Sequence, residues 1–291
     1  AEKTSGGIIV EKNVYQLVRE KIAQADAILM GASNGLSISE GFNLFADDRW
    51  FQENFGDFRT KYGIHSVLQG AFFQFPSQEE KWAFWSRLVY RKSVDVQPSR
   101  MMLNLYRLVA GKAYYVVTSN GEDHFAPAGF APEQVFEIEG KFTEMCCERG
   151  CHEAVYPNQE AITRMANAEK DGLIPAALLP KCPHCGGDMK IHMAADQSFF
   201  QSAVWQRKQA EYQNFVRKYH NKKLLILEFG VGWRNQLIKR PLMELAAAEP
   251  YATYVTFNKG EVFIPPEIAE KSIGIDGDIG AAINAIVESV G

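Results

Sequence analysis

Ala25-Asp26-Ala27-Ile28-Leu29-Met30 runs without a break into Gly31-Ala32-Ser33-Asn34-Gly35-Leu36-Ser37. The first half, with its Ala-Ile-Leu-Met run, reads as a short buried strand. The second half is a Gly/Ser-rich turn. Ahead of both, Val14, Leu17, Val18 and Ile22 recur at helical spacing and predict an amphipathic helix over Val10–Gln24. Helix, buried strand and small-residue turn together suggest a nucleotide-binding α/β unit. The turn lacks a strict G-x-G-x-x-G, so on this stretch alone an ordinary strand-to-helix turn is the better fit.

Strands and helices alternate again further on. Ser99–Ala110 reads as a helix and Ala113–Thr118 (Ala-Tyr-Tyr-Val-Val-Thr) as a β-branched, aromatic strand. Ser198–His220 reads as a long polar helix. Lys223–Phe229 is a buried strand ending in Gly230-Val231-Gly232. Leu237–Ala248 (helix), Ala252–Phe257 (strand), Ser272–Ile275 (extended) and Gly277–Val290 (closing helix) complete the pattern. Between the two alternating parts lie an aromatic-rich helical stretch and a loop-rich, cysteine-bearing stretch. The expected fold is therefore α/β. A Rossmann-like parallel sheet is built from 8–42, 111–140 and 191–291, and carries an inserted small lobe. That lobe comprises a helical module at 43–110 and a zinc module at 141–190. Phe45, Trp50, Phe51, Phe55, Phe72, Trp82, Phe84 and Trp85 are expected to form its core.

Length and charge narrow the function classes. A chain of 291 residues suits two domains, or one large domain with an insertion. Lys plus Arg number 31 and Asp plus Glu 35, so the net charge is 31 − 35 = −4. That balance argues against a nucleic-acid binder, which works by neutralising phosphates. No apolar run approaches the ~20 residues that span a bilayer. Ala1–Gly7 is small and polar, without the apolar core of a signal peptide, and the chain reads as cytoplasmic.

All five cysteines fall between 146 and 185. Cys182-Pro-His-Cys185 is followed by two glycines, which permit the φ > 0 residue of a tight metal turn. Cys147-Glu-Arg-Gly-Cys151 supplies a second pair. Four thiolates suit one tetrahedral, closed and hence structural zinc site. Cys146 competes with Cys147; the shorter spacing to Cys151 favours Cys147. His152 and His184 are expected to stand outside a filled shell. A redox role for Cys182/Cys185 is the alternative that the second pair argues against.

A further polar run, Thr118-Ser119-Asn120-Gly121-Glu122-Asp123-His124, directly follows a strand. It is either a polar turn or part of a ligand site, since open α/β sheets bind ligands at the carboxyl ends of their strands. The 31–41 loop and Gly230–Gly232 also follow strands. Three loops converging on one crevice can hold an extended cofactor.

With those residues in view, the chain resembles the sirtuins. Gly31–Ser37 through Gly41 is similar to that family's first NAD loop. Thr118-Ser-Asn120-Gly-Glu122 through Ala128-Gly129 is similar to its Thr-Gln-Asn-Ile-Asp…Ala-Gly segment. Four cysteines match its zinc module. Phe229-Gly230-Val231-Gly232 resembles its Gly-Thr-Ser loop, Thr256-Phe-Asn258 the following strand end, and Gly277-Asp278-Ile279 its Gly-Asp-Val turn. The resemblance implies NAD as cofactor. Gly31, Ala32, Ser33, Gly35, Leu36, Ser37 and Gly41 would come from the first loop, and Ser119 and Asn120 from the second. Gly230, Val231, Gly232, Asn258, Asp278 and Ile279 would supply the rest. It also implies one structural zinc on Cys147, Cys151, Cys182 and Cys185.

The departures redirect the chemistry. Sirtuin deacylases carry a catalytic His just before a Gly ahead of the zinc module; here the residue is Glu139, before Gly140. Ser119 replaces the family Gln, Glu122 replaces its Asp, and the Phe-Arg of the first loop is not evident. These features resemble the macrodomain-linked microbial sirtuins. That likeness implies NAD-dependent protein ADP-ribosylation, with a lipoylated carrier related to the glycine-cleavage H protein as acceptor and a macrodomain hydrolase as a second partner. A free carboxyl (~4.3) is roughly two units less basic than imidazole (~6.5), which disfavours the deacylase step. A carboxylate can instead stabilise a cationic sugar centre. Asn120, Glu139, Glu122 and Asp123 are the candidate catalytic residues. Asn120 would bond ribose or the departing amide, Glu122 would orient Asn120, and Asp123 or His124 would deprotonate the acceptor. A lysine deacylase with an unusual base and a non-catalytic NAD sensor are the competing readings.

Overall fold

A computed structural model describes residues 13–289. Ala1–Gly7, the first residues of the helix expected from Val10, and Val290 of the closing helix lie outside the described residues. Helix α1 (Val14–Gln24) begins at Asn13, whose side chain accepts from the Gln16 N–H while the Gln16 side chain accepts from the Asn13 N–H. Strand β1 (Ala27–Ala32) follows, then α2 (Asn34–Ser39). Four helices precede the next strand: α3 (Arg49–Tyr62), α4 (Val67–Phe72), α5 (Gln78–Val89), which continues into a π-helical turn at Tyr90–Val94, and α6 (Arg100–Val109). Then come β2 (Ala113–Thr118), β3 (Val135–Glu137), β4 (Gly140–Cys147), β5 (Tyr156–Pro157), α7 (Gln159–Ala168) and β6 (Met189–Met193). The chain closes with α8 (Ala203–Lys218), β7 (Leu224–Phe229), α9 (Gln236–Ala248), β8 (Thr253–Asn258), β9 (Ser272–Asp276) and α10 (Ile279–Glu288).

Six parallel strands pair in the order β3-β2-β1-β7-β8-β9. All six residues of β1 are buried, as a central strand with helices on both faces requires. Ile28 and Met30 enter a core with α1, α6 and α10, through Val18, Met102, Leu105 and Ile283. Ala27 and Leu29 enter the opposite core, with Ile238 and Leu242 of α9. The chain leaves β1 toward β2 on one side, and β7 lies on the other. Strand order reverses there, and the crevice beyond the strand ends is where such sheets take ligands.

The small lobe is one body rather than two modules with separate cores. Phe51, Phe55, Phe58, Trp82, Phe84 and Trp85 pack into the same cluster as Cys147, Cys182, Ile162 and Met165. The expected aromatic core is present, but Phe45 and Phe72 face solvent. Helix α6 packs on the main sheet instead. Strand β6, which straddles the expected boundary at 191, pairs antiparallel with β4 in the three-stranded sheet β5-β4-β6. Helix α7 lies in the stretch expected to be loop-rich. It has only two buried side chains, Ile162 and Met165, too few for a clear periodic signal.

The first strand runs two residues further than expected, so Gly31 and Ala32 belong to β1 rather than to the turn. A Cβ on Gly31 would lie 2.4 Å from Leu242 Cδ1, and glycine there lets α9 approach the sheet. The helix expected from Ser198 starts at Ala203, because Asp196 accepts from the Ser198 N–H and turns the chain beforehand. Among the described residues, no helix is long and apolar enough to cross a membrane.

Candidate functional site

Three loops meet at the crevice, and the first and third touch backbone to backbone. The Gly35 N–H donates to the Gly230 carbonyl at 2.9 Å. A Cβ on Gly35 would stand 2.5 Å from Gly230 Cα, and one on Gly230 (φ +64°) would stand 2.3 Å from the Leu36 nitrogen. Only glycine pairs allow this approach. Lys239, buried in α9, donates to Glu228 and at 3.3 Å to the Val231 carbonyl, which ties the third loop to the sheet below. Leu36, Val231 and Ile279 turn their side chains into the cores. Gly41 follows α2 at φ +99°. Asn258 ends β8 opposite Asp276. Asp278 caps α10 by accepting from the Ala281 N–H at 2.8 Å, and also accepts from the Ser39 hydroxyl at 3.0 Å.

The second loop is built inward from β2. The buried Asn120 donates its backbone N–H to Thr118 Oγ1 and its side-chain amide to the Ser33 carbonyl, both at 3.0 Å. Glu122 is also buried, and its carboxylate accepts from the Ser37 hydroxyl rather than from Asn120. Burial pushes the Glu122 carboxyl up. Asp123 sits at φ +55° and faces the Lys141 ammonium at 3.6 Å.

His124 is committed at both ring nitrogens. Nε2 donates to the Lys92 carbonyl at 2.6 Å, since a carbonyl only accepts, and Nδ1 meets the Glu40 carboxylate. Burial works against its charge, but the Glu40 bond and the neighbouring Glu122 outweigh burial and push the imidazole up to about 9. The Glu40 carboxyl, opposed by burial, is held low by His124 and Ser99. His124 is thus an imidazolium with both protons engaged at neutral pH, and so has no lone pair to act as base. The Lys92 ammonium lies over the rings of Phe42 and Trp50, 4.7 and 4.1 Å from their centroids.

Glu139 lies just past the edge strand. Register pairs Thr118 with Glu137, and the Ile138 N–H donates to the Thr118 carbonyl at 3.0 Å. The Phe142 N–H closes the other side on the Gly121 carbonyl at 2.9 Å. Glu139 is therefore carried alongside the Ser119–Asn120 turn. Burial alone pushes its carboxyl up. Glu137, two residues earlier, is instead ion-paired with Lys208 at 3.0 Å.

The cysteines form a compact set. The sulfurs of Cys147, Cys151, Cys182 and Cys185 all lie within 4.8 Å of one another, with Cys147–Cys185 at 3.6 Å and Cys151–Cys182 at 3.5 Å. A tetrahedral zinc with ~2.3 Å bonds has sulfur–sulfur edges of about 3.8 Å, so the set fits one such ion. Two knuckles present them: Gly150 and Gly186, both at φ +69°, close turns back onto the carbonyls of Cys147 and Cys182. Cys146, adjacent on β4, is buried and belongs to neither the cysteine set nor the lobe core that holds Cys147, as strand alternation dictates. His152 and His184 stack 3.9 Å apart beside the cluster.

Sequence reasoning missed Asn235. Its side-chain amide donates to Ser33 Oγ at 2.9 Å and Ser119 Oγ at 3.0 Å, joining all three loops. Glu40 was also missed. Neither residue has a local motif, because each acts on groups distant in the chain.

Comparison with known proteins agrees with this geometry. A protein ADP-ribosyltransferase of Staphylococcus aureus is 32% identical over 276 residues, spanning 94% of this chain and 87% of the relative. The chain belongs to the sirtuin-fold protein ADP-ribosyltransferase family. A probable bifunctional ADP-ribose hydrolase/ADP-ribosyltransferase of Fusarium oxysporum is 28% identical, and the match covers 94% of this chain but only 47% of that protein. Among solved structures, Sir2Tm bound to a propionylated peptide superposes with a TM-score of 0.59 at 17% identity, covering 95% of this chain and 98% of that one. A Sir2 enzyme solved for its mechanism and regulation gives 0.56 at 18%, covering 94% and 96%. Both show the fold. No family model matches the chain.

Proposed function

We propose that this chain transfers ADP-ribose from NAD onto a lipoylated carrier protein similar to the glycine-cleavage H protein. The observation that carries the transfer reading is Glu139. It is a half-buried carboxyl on the backbone turn that runs alongside Ser119–Asn120, at the sequence position where the resemblance puts a deacylase's imidazole, and the imidazole of His124 has both ring nitrogens bonded. NAD supplies the electrophilic ribose carbon, whose bond to nicotinamide breaks as the bond to the acceptor forms. Gly35 and Gly230 let the first and third loops meet backbone to backbone, which shapes the crevice the dinucleotide would occupy. Asn120, held by Ser33, orients ribose or the departing amide. Glu139 opposes the positive charge that develops on the ribose. Asp123, kept in place by Lys141, faces the acceptor's proton. Cys147, Cys151, Cys182 and Cys185 would hold one structural zinc, which supplies no chemistry to the transfer because four thiolates fill its shell. The acceptor's identity, and a macrodomain hydrolase acting on the product, rest on the motif resemblance.

Incubation with NAD and either lipoylated carrier or acyl-lysine peptide, followed by mass spectrometry, tests the reading. A gain of ADP-ribose on the carrier is expected; robust loss of acyl groups without transfer overturns it. Glu139→His is expected to leave deacylation near background in the same assay, because Ser119 and Glu122 also depart from the deacylase pattern. Substantial deacylation by that variant would mean the missing imidazole alone had blocked the reaction.

Gly230→Ala probes the dinucleotide site directly. A methyl group there meets the Leu36 nitrogen at φ +64°. Strain of about 1–3 kcal/mol should part the two loops. Calorimetry should find NAD binding lost and thermal melting a lowered midpoint. Unchanged affinity would move the cofactor elsewhere.

A further inference from the structure

Ser33, Ser119 and Asn235 form a closed triangle on the floor of the crevice. The two hydroxyl oxygens are 2.8 Å apart, and the Asn235 amide nitrogen is 2.9 and 3.0 Å from them. Each corner comes from the loop after a different strand, β1, β2 or β7, with Asn235 immediately before α9. The backbone fixes each corner independently. The Ser33 N–H donates to the Phe229 carbonyl at 3.2 Å, the Ser119 N–H to the Ala32 carbonyl at 3.1 Å, and the Asn235 N–H to the Gly232 carbonyl at 3.0 Å. Ser33 precedes α2 yet its hydroxyl caps nothing in that helix.

Counting protons gives the triangle a direction. An amide nitrogen has two hydrogens, and here each serine oxygen receives one. Two hydroxyl hydrogens remain. The serine–serine contact consumes one, and the other has no acceptor within the triangle. Lone pairs toward Asn235 are occupied, so that last hydrogen turns away from the amide.

We propose that Asn235 is a positioning residue that aims this hydroxyl proton at a phosphate oxygen of the bound dinucleotide. The inference rests on NAD occupying the crevice. Triangle and diphosphate would meet beside the Gly35–Gly230 contact, where backbone approach is closest. A phosphate oxygen is the acceptor that gains most from one neutral donor, because a hydrogen bond to a charged group outweighs one to a neutral group.

Exchanging the amide for a carboxylate distinguishes aiming from mere bracing. Aspartate in place of Asn235 would have the same shape but would accept where the amide donates. Both serine hydrogens would then turn to it, and its charge would repel the diphosphate. The experiment is calorimetry of the full chain with NAD and with ADP-ribose, together with transfer kinetics and melting without ligand. Asn235→Ala should weaken both ligands about 10-fold and raise KM for NAD while kcat at saturation stays near the wild-type value. Asn235→Asp should weaken both on the order of 100-fold with an unchanged or raised melting midpoint, because two hydroxyls now donate to a carboxylate. Wild-type affinity in Asn235→Asp overturns the proposal, as does a fall in kcat without a change in KM. Failure of the unaltered protein to bind either ligand would instead overturn the NAD site itself.

Discussion

Asn120→Ala is expected to reduce ADP-ribosyl transfer by about 10²–10³ in kcat while NAD affinity changes far less. The side chain is buried, and one of its two amide hydrogens is held by the Ser33 carbonyl at 3.0 Å. That bond leaves the side-chain carbonyl oxygen and the second amide hydrogen for a ligand. It also fixes the rotamer before anything binds, which is the condition under which a polar group at a developing charge contributes most. Truncation has a second, smaller consequence: the Ser33 carbonyl loses a donor, at a cost to stability of about 1 kcal/mol. Rate and stability therefore separate. Single-turnover transfer measured by mass spectrometry should collapse while the melting midpoint moves little. An undiminished rate would remove Asn120 from the reaction. A rate loss matched by an equal loss of NAD affinity would recast it as a binding residue only.

Much of this site was legible because open α/β sheets put ligand loops at strand ends. Ala-Ile-Leu-Met, Tyr-Tyr-Val-Val and Leu-Leu-Ile-Leu mark their strands by burial alone, so the loops following Ala32, Thr118 and Phe229 could be found without knowing the pairing. The cysteine set was legible from spacing, since a metal knuckle is a local structure. Features that depend on two distant groups were not. Gly31 reads as a loop residue until α9 is packed against it, and its purpose is then to admit Leu242. His124 reads as a base until Glu40 and the Lys92 carbonyl consume both nitrogens. Asn235 carries no signal at all, because its partners Ser33 and Ser119 meet only when β1, β2 and β7 are paired. Local pattern locates such a site, while the protonation and aim of its groups come from tertiary contacts.

Cys182→Ser should release the metal and unfold the small lobe. Cys182 is buried within the same cluster as Cys147, Phe84, Trp85 and Met165, so the cysteine set and the aromatic core stabilise each other. Its sulfur also receives the His184 N–H at 3.4 Å, a bond that favours the thiolate and holds the knuckle closed. Structural zinc contributes apparent free energies on the order of 10 kcal/mol where binding and folding are coupled, and serine is a poor substitute for a thiolate ligand. Even a partial loss of about 4 kcal/mol would lower the melting midpoint by roughly 10 °C. The parallel sheet has its own two cores and should survive, so unfolding should split into two steps, the earlier one belonging to the small lobe. Cys146→Ser is the control: that thiol stands apart from the four clustered sulfurs, and its variant should keep a full complement of metal. Atomic absorption on purified protein decides the matter. One zinc per chain retained in Cys182→Ser, or zinc lost from Cys146→Ser, would overturn the ligand set. With the ligand set intact, the separate melting of the small lobe would show that its helices depend on the metal for their fold.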